Sequence, residues 1–248
     1  MRNPYINIES WLGRILKILA NDLKKPKKFI YLTFDDGPLP GTSQTIDLCK
    51  KLNCKATYFM VGCHNKSEQT NQTIQSLISS KNQFIVGNHS FSHANEKYKE
   101  YYQNPMGVLA DFEKARLSLG LETKIARLPG LNAWANSTFF FGAKAIRSVG
   151  NVLITSGYSI LGWDIEWKPI KKSLKFSNKH IIFRWTIILK LFALRTHSRN
   201  HIVVLFHDIS FRDEANLAAL RKLILSFQKS KKYSFETIDK HPFCQNPN

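Results

Sequence analysis

Two acidic residues stand side by side at the end of an apolar run, in Thr33-Phe34-Asp35-Asp36-Gly37-Pro38. Adjacent strand residues point to opposite sides, but Gly37 and Pro38 turn the chain here, so both carboxylates can face one site. One of the pair can then bind a cation while the other stays free as a base. Read by itself, the hexapeptide is equally an Asp-Gly turn with solvated acids. Further along, Asn88-His89-Ser90-Phe91-Ser92-His93 puts two histidines at i and i+4. That spacing can set both imidazoles on one side of a single helical turn, where they can share a metal. By themselves they are equally two surface histidines. Two imidazoles and one carboxylate, with positions left for water, make a hydrolytic or oxidative metal site, and the diacid one strand earlier favours that reading of both segments.

Such side chains converge only if the chain brings strand ends together. Runs rich in Ile, Val, Phe, Tyr and Leu predict strands at 28–34, 56–61, 83–87, 124–128, 158–164, 201–207 and 233–238. Helices are expected between them at 42–52, 69–80, 106–119, 137–149, 178–194 and 213–228. Strand and helix in alternation imply parallel strands with helical crossovers. The fold class expected is α/β, a distorted (β/α) barrel of about seven parallel strands, with an open doubly wound sheet as the alternative. Asp35, Asp36, His89, Arg127, Asp164 and His207 all fall at or just after the C-terminal end of an expected strand. In a (β/α) barrel those ends form one face, where active sites lie. Residues 28–248 read as a single domain, and 1–27 as an amphipathic basic extension.

T-F-D-D-G-P followed by H-S-F-S-H resembles the polysaccharide deacetylases with a NodB homology domain, carbohydrate esterase family 4. Arg127-Leu128-Pro129-Gly130, Trp163-Asp164-Ile165-Glu166-Trp167 and Leu205-Phe206-His207 continue the likeness in order. The resemblance implies that Asp35 is the catalytic base. It implies that Asp36, His89 and His93 bind a divalent metal, usually zinc, with cobalt, nickel or manganese as other possibilities. Arg127 would pair with Asp35 and orient it, and His207 would be the general acid, supported by Asp164, Glu166 or Asp208. Leu205 would line the pocket for the acyl methyl, and Trp167 or Trp163 would wall the groove. Pro129 and Gly130 would form its floor, with a backbone N–H near Gly130 facing the oxyanion. Most family members carry an aromatic residue where this chain has Gly130. The implied activity is removal of an N-acetyl group from an amino sugar in a polysaccharide, lipopolysaccharide or lipid-linked glycan. The other readings weighed are an amide hydrolase acting on a small molecule or cyclic imide, and a catalytically silent glycan- or membrane-binding module.

Lys and Arg number 36 against 18 Asp and Glu, a net charge of +18. An excess of this size favours anionic partners such as phosphorylated glycans or an anionic membrane surface. A basic, apolar stretch after Trp167 and a helical-period pattern at Trp11, Leu12, Ile15, Leu16 and Leu19 point to peripheral membrane contact, although both also suit helices packed on a barrel. Nucleic acid is not expected, since no binding motif accompanies the charge. G-x-S-x-G, P-loop and dinucleotide fingerprints are missing, which removes acyl-enzyme and nucleotide chemistry. Cys49, Cys54, Cys63 and Cys244 match neither a zinc finger nor a disulfide scaffold. Arg14 and Lys17 interrupt the one N-terminal apolar stretch, and no run reaches the length of a membrane span. The location expected is therefore the cytoplasm or the cytoplasmic face of the inner membrane.

Overall fold

The structure, a computed structural model, describes residues 27–168 and 179–245. The expected N-terminal extension, apart from Lys27, and Lys171, Lys172 and Lys175 of the basic stretch lie outside the described residues. In chain order the main elements are β1 (Lys28–Gly37), α1 (Thr42–Lys51), β2 (Ala56–Met60), α2 (Glu68–Ser79), β3 (Phe84–Asn88), α3 (Pro105–Ser118), β4 (Ile125–Ala126), β5 (Trp134–Asn136) and β6 (Phe139–Phe141). They continue with α4 (Arg147–Thr155), β7 (Ser159–Ile160), β8 (Ile165–Glu166), α5 (Lys179–Phe192), β9 (His201–His207), α6 (Glu214–Gln228) and β10 (Tyr233–Phe235).

One curled sheet runs in the order β6-β5-β7-β4-β3-β2-β1-β9-β8, with β10 paired to the first residues of β1. All pairings are parallel except those of β5 with β6 and β7. The architecture is thus a distorted (β/α) half-barrel, not an open doubly wound sheet. Its strands alternate between two apolar environments, as period-two side chains on a doubly covered sheet must. On β1, Ile30, Leu32 and Phe34 pack outward with α1 and α6, whereas Tyr31 faces an inner cluster with Phe59, Leu161 and Val203. Thr33 and Asp35 share the inner parity of Tyr31. Local chemistry sets several helix starts. Ser67 and Thr70 form a reciprocal capping box on α2, Asn104 caps α3 ahead of Pro105, and Asp213 accepts the Ala215 and Asn216 amides at α6.

Two expectations need correction. The strand expected at 158–164 shortens to β7, paired to β4, and a separate short strand, β8, follows at Ile165–Glu166 and pairs with β9, so the sheet is split there. Residues between them leave the ladder, and the buried Arg127 guanidinium takes their carbonyls instead, through Nε to Leu161 O at 3.0 Å and Nη2 to Gly162 O at 2.8 Å. The helix expected at 137–149 begins only at Arg147. Before it lies the β5–β6 hairpin, whose turn is set by Asn136: its Oδ1 accepts the amides of Thr138 and Phe139, and Phe139–Phe141 then pair back.

Candidate active site

β1 and β9 run in parallel register from Phe29 opposite His201 to Asp35 opposite His207, so the base and acid candidates end neighbouring strands at the same level. Asp36 follows with φ at +75°, a left-handed conformation that turns its carboxylate towards β3. The His64 ring Nδ1, which sequence reasoning passed over, lies 2.7 Å from the Asp36 carbonyl oxygen and holds this turn.

At the end of β3, His89 is buried, and His93 is reached by an irregular path. The i, i+4 pair is not carried by a helical turn. Ser90 and the run His93 to Glu96 all have positive φ. Each such residue costs free energy outside glycine, so the loop needs external support. Asp111, on α3, supplies it: one carboxylate oxygen accepts the Phe91 and Ser92 amides and the Ser92 and Tyr101 hydroxyls, at 3.0–3.2 Å. The Asn88 side chain bridges the Ser90 amide and the Phe112 carbonyl.

This loop brings His93 Nε2 within 3.2 Å and His89 Nε2 within 3.4 Å of Asp36 Oδ1. Among the described residues these three form the group able to hold one metal ion, with ligand atoms all within 4.8 Å of one another. Two ligands on a tetrahedral ion with bonds near 2.0–2.2 Å sit about 3.3–3.5 Å apart, so the spacings suit such an ion. The far ring nitrogens fit as well. His89 Nδ1 lies 2.9 Å from the Arg127 carbonyl and His93 Nδ1 2.8 Å from Glu96 Oε1. In the tautomer that carries Nδ1–H, each ring donates to that acceptor and turns its Nε2 lone pair to the common point. Burial raises the Asp36 carboxyl, but hydrogen bonds from the two histidines outweigh it and hold the group well below the ordinary carboxylate range. His93 is lowered by burial and raised by Asp36 and Glu96, with a net shift upward.

Asp35 is buried beside this group. Its Oδ1 accepts Arg127 Nη1 at 2.8 Å, while Oδ2 lies 3.8 Å from His89 Nε2. Arg127 is fully buried, also donates to Thr33 Oγ1 at 2.7 Å, and stacks over Phe59 at 4.2 Å. Burial lowers its pKa and Asp35 raises it again; a guanidinium this well bonded stays charged. The outcome is two carboxylates with separate partners, one on the histidines and one on the arginine.

The remaining expected residues divide. His207 is partly buried and close enough to Asp36 to act on its carboxyl electrostatically. Leu205 is buried on the same side of β9, opposite Thr33. Trp163 is partly exposed, with Arg127 5.8 Å from its ring. Trp167 does not wall the groove. It is buried on the outer side of the sheet against Phe183 and Phe206, because the register of β8 turns it outward. Asp164 does not support His207: its two oxygens take the amides of His197 and Val203 and anchor the start of β9. Burial raises its carboxyl above the usual range, partly offset by those amides. The Glu166 carboxylate lies 3.7 Å from Lys168 Nζ. Asp208 is wholly buried, with Oδ2 accepting the Thr42 hydroxyl at 2.6 Å. Burial, then the nearby Asp36 and Asp35 charges, push it well above the carboxylate range, only partly offset by Thr42.

Pro129 is buried and its carbonyl accepts the Tyr102 hydroxyl at 2.7 Å. Gly130 is exposed with φ at +69°, and the Tyr98 ring lies where a Cβ would come within 3.0 Å. Tyr98 also meets the His93 ring edge-on and donates to Glu96 Oε2 at 2.9 Å. An aromatic ring thus stands beside Gly130, carried by another segment. Glu96 and Tyr98 went unread in the sequence; an acid three residues after His93 was the one available signal.

The family model described as polysaccharide deacetylase matches residues 22–132. A peptidoglycan-N-acetylglucosamine deacetylase of Bacillus cereus is 25% identical over 228 residues, 86% of this chain and 70% of that protein. An uncharacterised 30.6 kDa protein of Geobacillus stearothermophilus is 43% identical over 218 residues, 86% of this chain and 70% of its own. The fold matches a Streptococcus mutans carbohydrate esterase of family 4 with a TM-score of 0.60 at 22% identity, covering 88% of this chain and 89% of the other. With strand ends, histidine pair and buried arginine ordered as described, the chain belongs to the polysaccharide deacetylase family.

Proposed function

We propose that this chain is a metal-dependent N-deacetylase acting on an amino sugar of an envelope glycan or glycolipid, with Asp36, His89 and His93 as metal ligands. The observation that carries the reading is the convergence of Asp36 Oδ1, His89 Nε2 and His93 Nε2, with Asp35 buried alongside and bonded to a different partner. Zinc suits this nitrogen–oxygen donor set best, with cobalt, nickel or manganese as substitutes. A divalent ion held there polarises the amide oxygen and lowers the pKa of water.

The chain's own groups supply the rest. Asp35 takes the proton of the attacking water, while Arg127 fixes its carboxylate in place. A backbone N–H near Gly130 would meet the oxygen that gains charge. His207, level with Asp35 across β1 and β9, gives a proton to the departing nitrogen. The C–N bond breaks, a C–O bond forms, and acetate and a free amine leave. The name of the B. cereus relative supports an acetylated polymeric glycan as the substrate class. The charge of +18 supports a phosphate-bearing one, such as a lipid-linked or lipopolysaccharide-type sugar.

Mass spectrometry of candidate glycans after incubation tests this, by loss of one acetyl group that stops with chelator and in Asp35→Asn. Turnover of neutral chitooligosaccharides with none on lipid-linked sugars would reject the phosphate-bearing substrate and leave the deacetylase reading intact.

A further inference from the structure

α5 has two apolar faces where a helix packed on a barrel needs one. Ile187, Ile188 and Leu191 are buried against the sheet and α6. Ile182, Trp185, Leu189 and Phe192, spaced three, four and three residues apart, are each more than half exposed. At 3.6 residues per turn they form one continuous outward stripe about three turns long. Scattered exposed apolar residues are ordinary, but four large ones in a line on a single helix are not.

The surroundings of the stripe say what covers it. Residues 167–207 contain no Asp or Glu, and neither do 215–235, which hold most of the adjoining α6. Past the C-terminal end of the stripe lies a cavity of about 300 Å³, lined by Phe192 and Leu194 and by the cations Lys28, Arg199 and Lys232. Lys28 Nζ sits 4.6 Å over the Phe192 ring, and Arg199 is near enough to lower the Lys28 pKa, second to burial. Apolar residues in line with a cationic hollow, Trp185 among them, suit the acyl–headgroup boundary of a bilayer rather than a polyanion in solution, for which the stripe has no use. No described helix is long and apolar enough to cross a membrane, so the contact is along a surface.

We propose that the exposed face of α5 docks the chain on an anionic bilayer, with Ile182, Trp185, Leu189 and Phe192 entering the acyl boundary and the hollow at Lys28 and Arg199 receiving a lipid phosphate. The face lies on the outer side of the barrel, and its occupation is independent of the catalytic reading.

Co-sedimentation of the full-length chain with vesicles provides the test, using phosphatidylcholine alone and phosphatidylcholine mixed with phosphatidylglycerol. Binding is expected to the mixed vesicles, weaker by about tenfold or more on the neutral ones, and falling with added salt. W185S/L189S should lose about tenfold or more of the binding. Its deacetylase activity on a soluble acetylated oligosaccharide, measured beside circular dichroism, should match the parent chain. Should that variant misfold, R199E carries the test, expected to weaken binding to mixed vesicles while the melting temperature stays within a few degrees of the parent's. Asp35→Asn should bind vesicles like the parent chain, which separates failure of docking from failure of catalysis. Equal binding to both vesicle types, full binding by W185S/L189S, or no binding at all would overturn the proposal. So would a stripe-dependent dimer in light scattering, or binding that appears only once residues 1–26 are removed.

Discussion

Asp35 and Asp36 are neighbours in the chain and opposites in environment. The first is bonded to a buried guanidinium and the second to two imidazoles. Asp35→Asn is expected to lower kcat by roughly 10²–10⁴-fold, the usual contribution of a positioned base, with metal content unchanged. Loss of the metal in that variant would place Asp35 among the ligands instead. Arg127→Met should destabilise the fold by about 3–5 kcal/mol in denaturant unfolding, because it leaves Asp35 buried and unpaired and orphans two carbonyls. A change under about 1 kcal/mol would contradict the role given to the guanidinium across the split strand. At Gly130, Tyr98→Ala should raise KM for an acetylated glycan by about three- to tenfold through loss of a ring contact, while Tyr98→Phe stays near the parent value. Equal effects of both variants would shift the role to the Glu96 hydrogen bond. The residues that converge at the candidate site were legible because residue type and strand-end position each narrowed the choice. Glu96, Tyr98, His64 and Asp111 were not. Their contribution depends on which way a left-handed loop turns, and neighbouring residue types do not encode that.

At the level of elements, β9 matched the expected 201–207 at both ends, because His201-Ile-Val-Val-Leu-Phe-His207 is β-branched or aromatic at every position but Leu205. Short strands fared worse. The run 158–164 is apolar enough to read as one strand, but Arg127 breaks it by taking the carbonyls a neighbouring strand would have taken. The Phe-rich second half of the hairpin, 137–141, read as the start of a helix because the turn chemistry of a single side chain, Asn136, outweighed the apolar pattern. Trp163 and Trp167 are equally plausible groove walls in sequence; the register of β8 against β9 alone turns Trp167 outward. α5 was legible as a helix, yet with apolar residues nearly all round, periodicity could not say which face is covered.

Across the whole molecule, the barrel has its candidate site at the C-terminal ends of its strands and a histidine cluster near their starts. His241 is buried against His201, Tyr31 and Trp134, and burial, then the neighbouring histidines, push its pKa down to about 3. His197 and His201 are lowered too, by burial. In the unfolded chain these rings take up protons near pH 6.5, and His241 in the folded chain does so only near 3. At these rings the unfolded state therefore binds more protons between those values, so their contribution to stability falls as pH drops through that window. His241 alone contributes a slope of about 1.4 kcal/mol per pH unit. His241→Gln should flatten the dependence of unfolding free energy on pH by about one proton; parallel curves would contradict the assignment. The most direct test of the functional reading is metal stoichiometry against acetate release, in the parent chain and in His93→Ala. One divalent ion per chain, lost together with acetate release in His93→Ala and on chelation, is the predicted result. Acetate release that persists undiminished in the metal-free protein would contradict it.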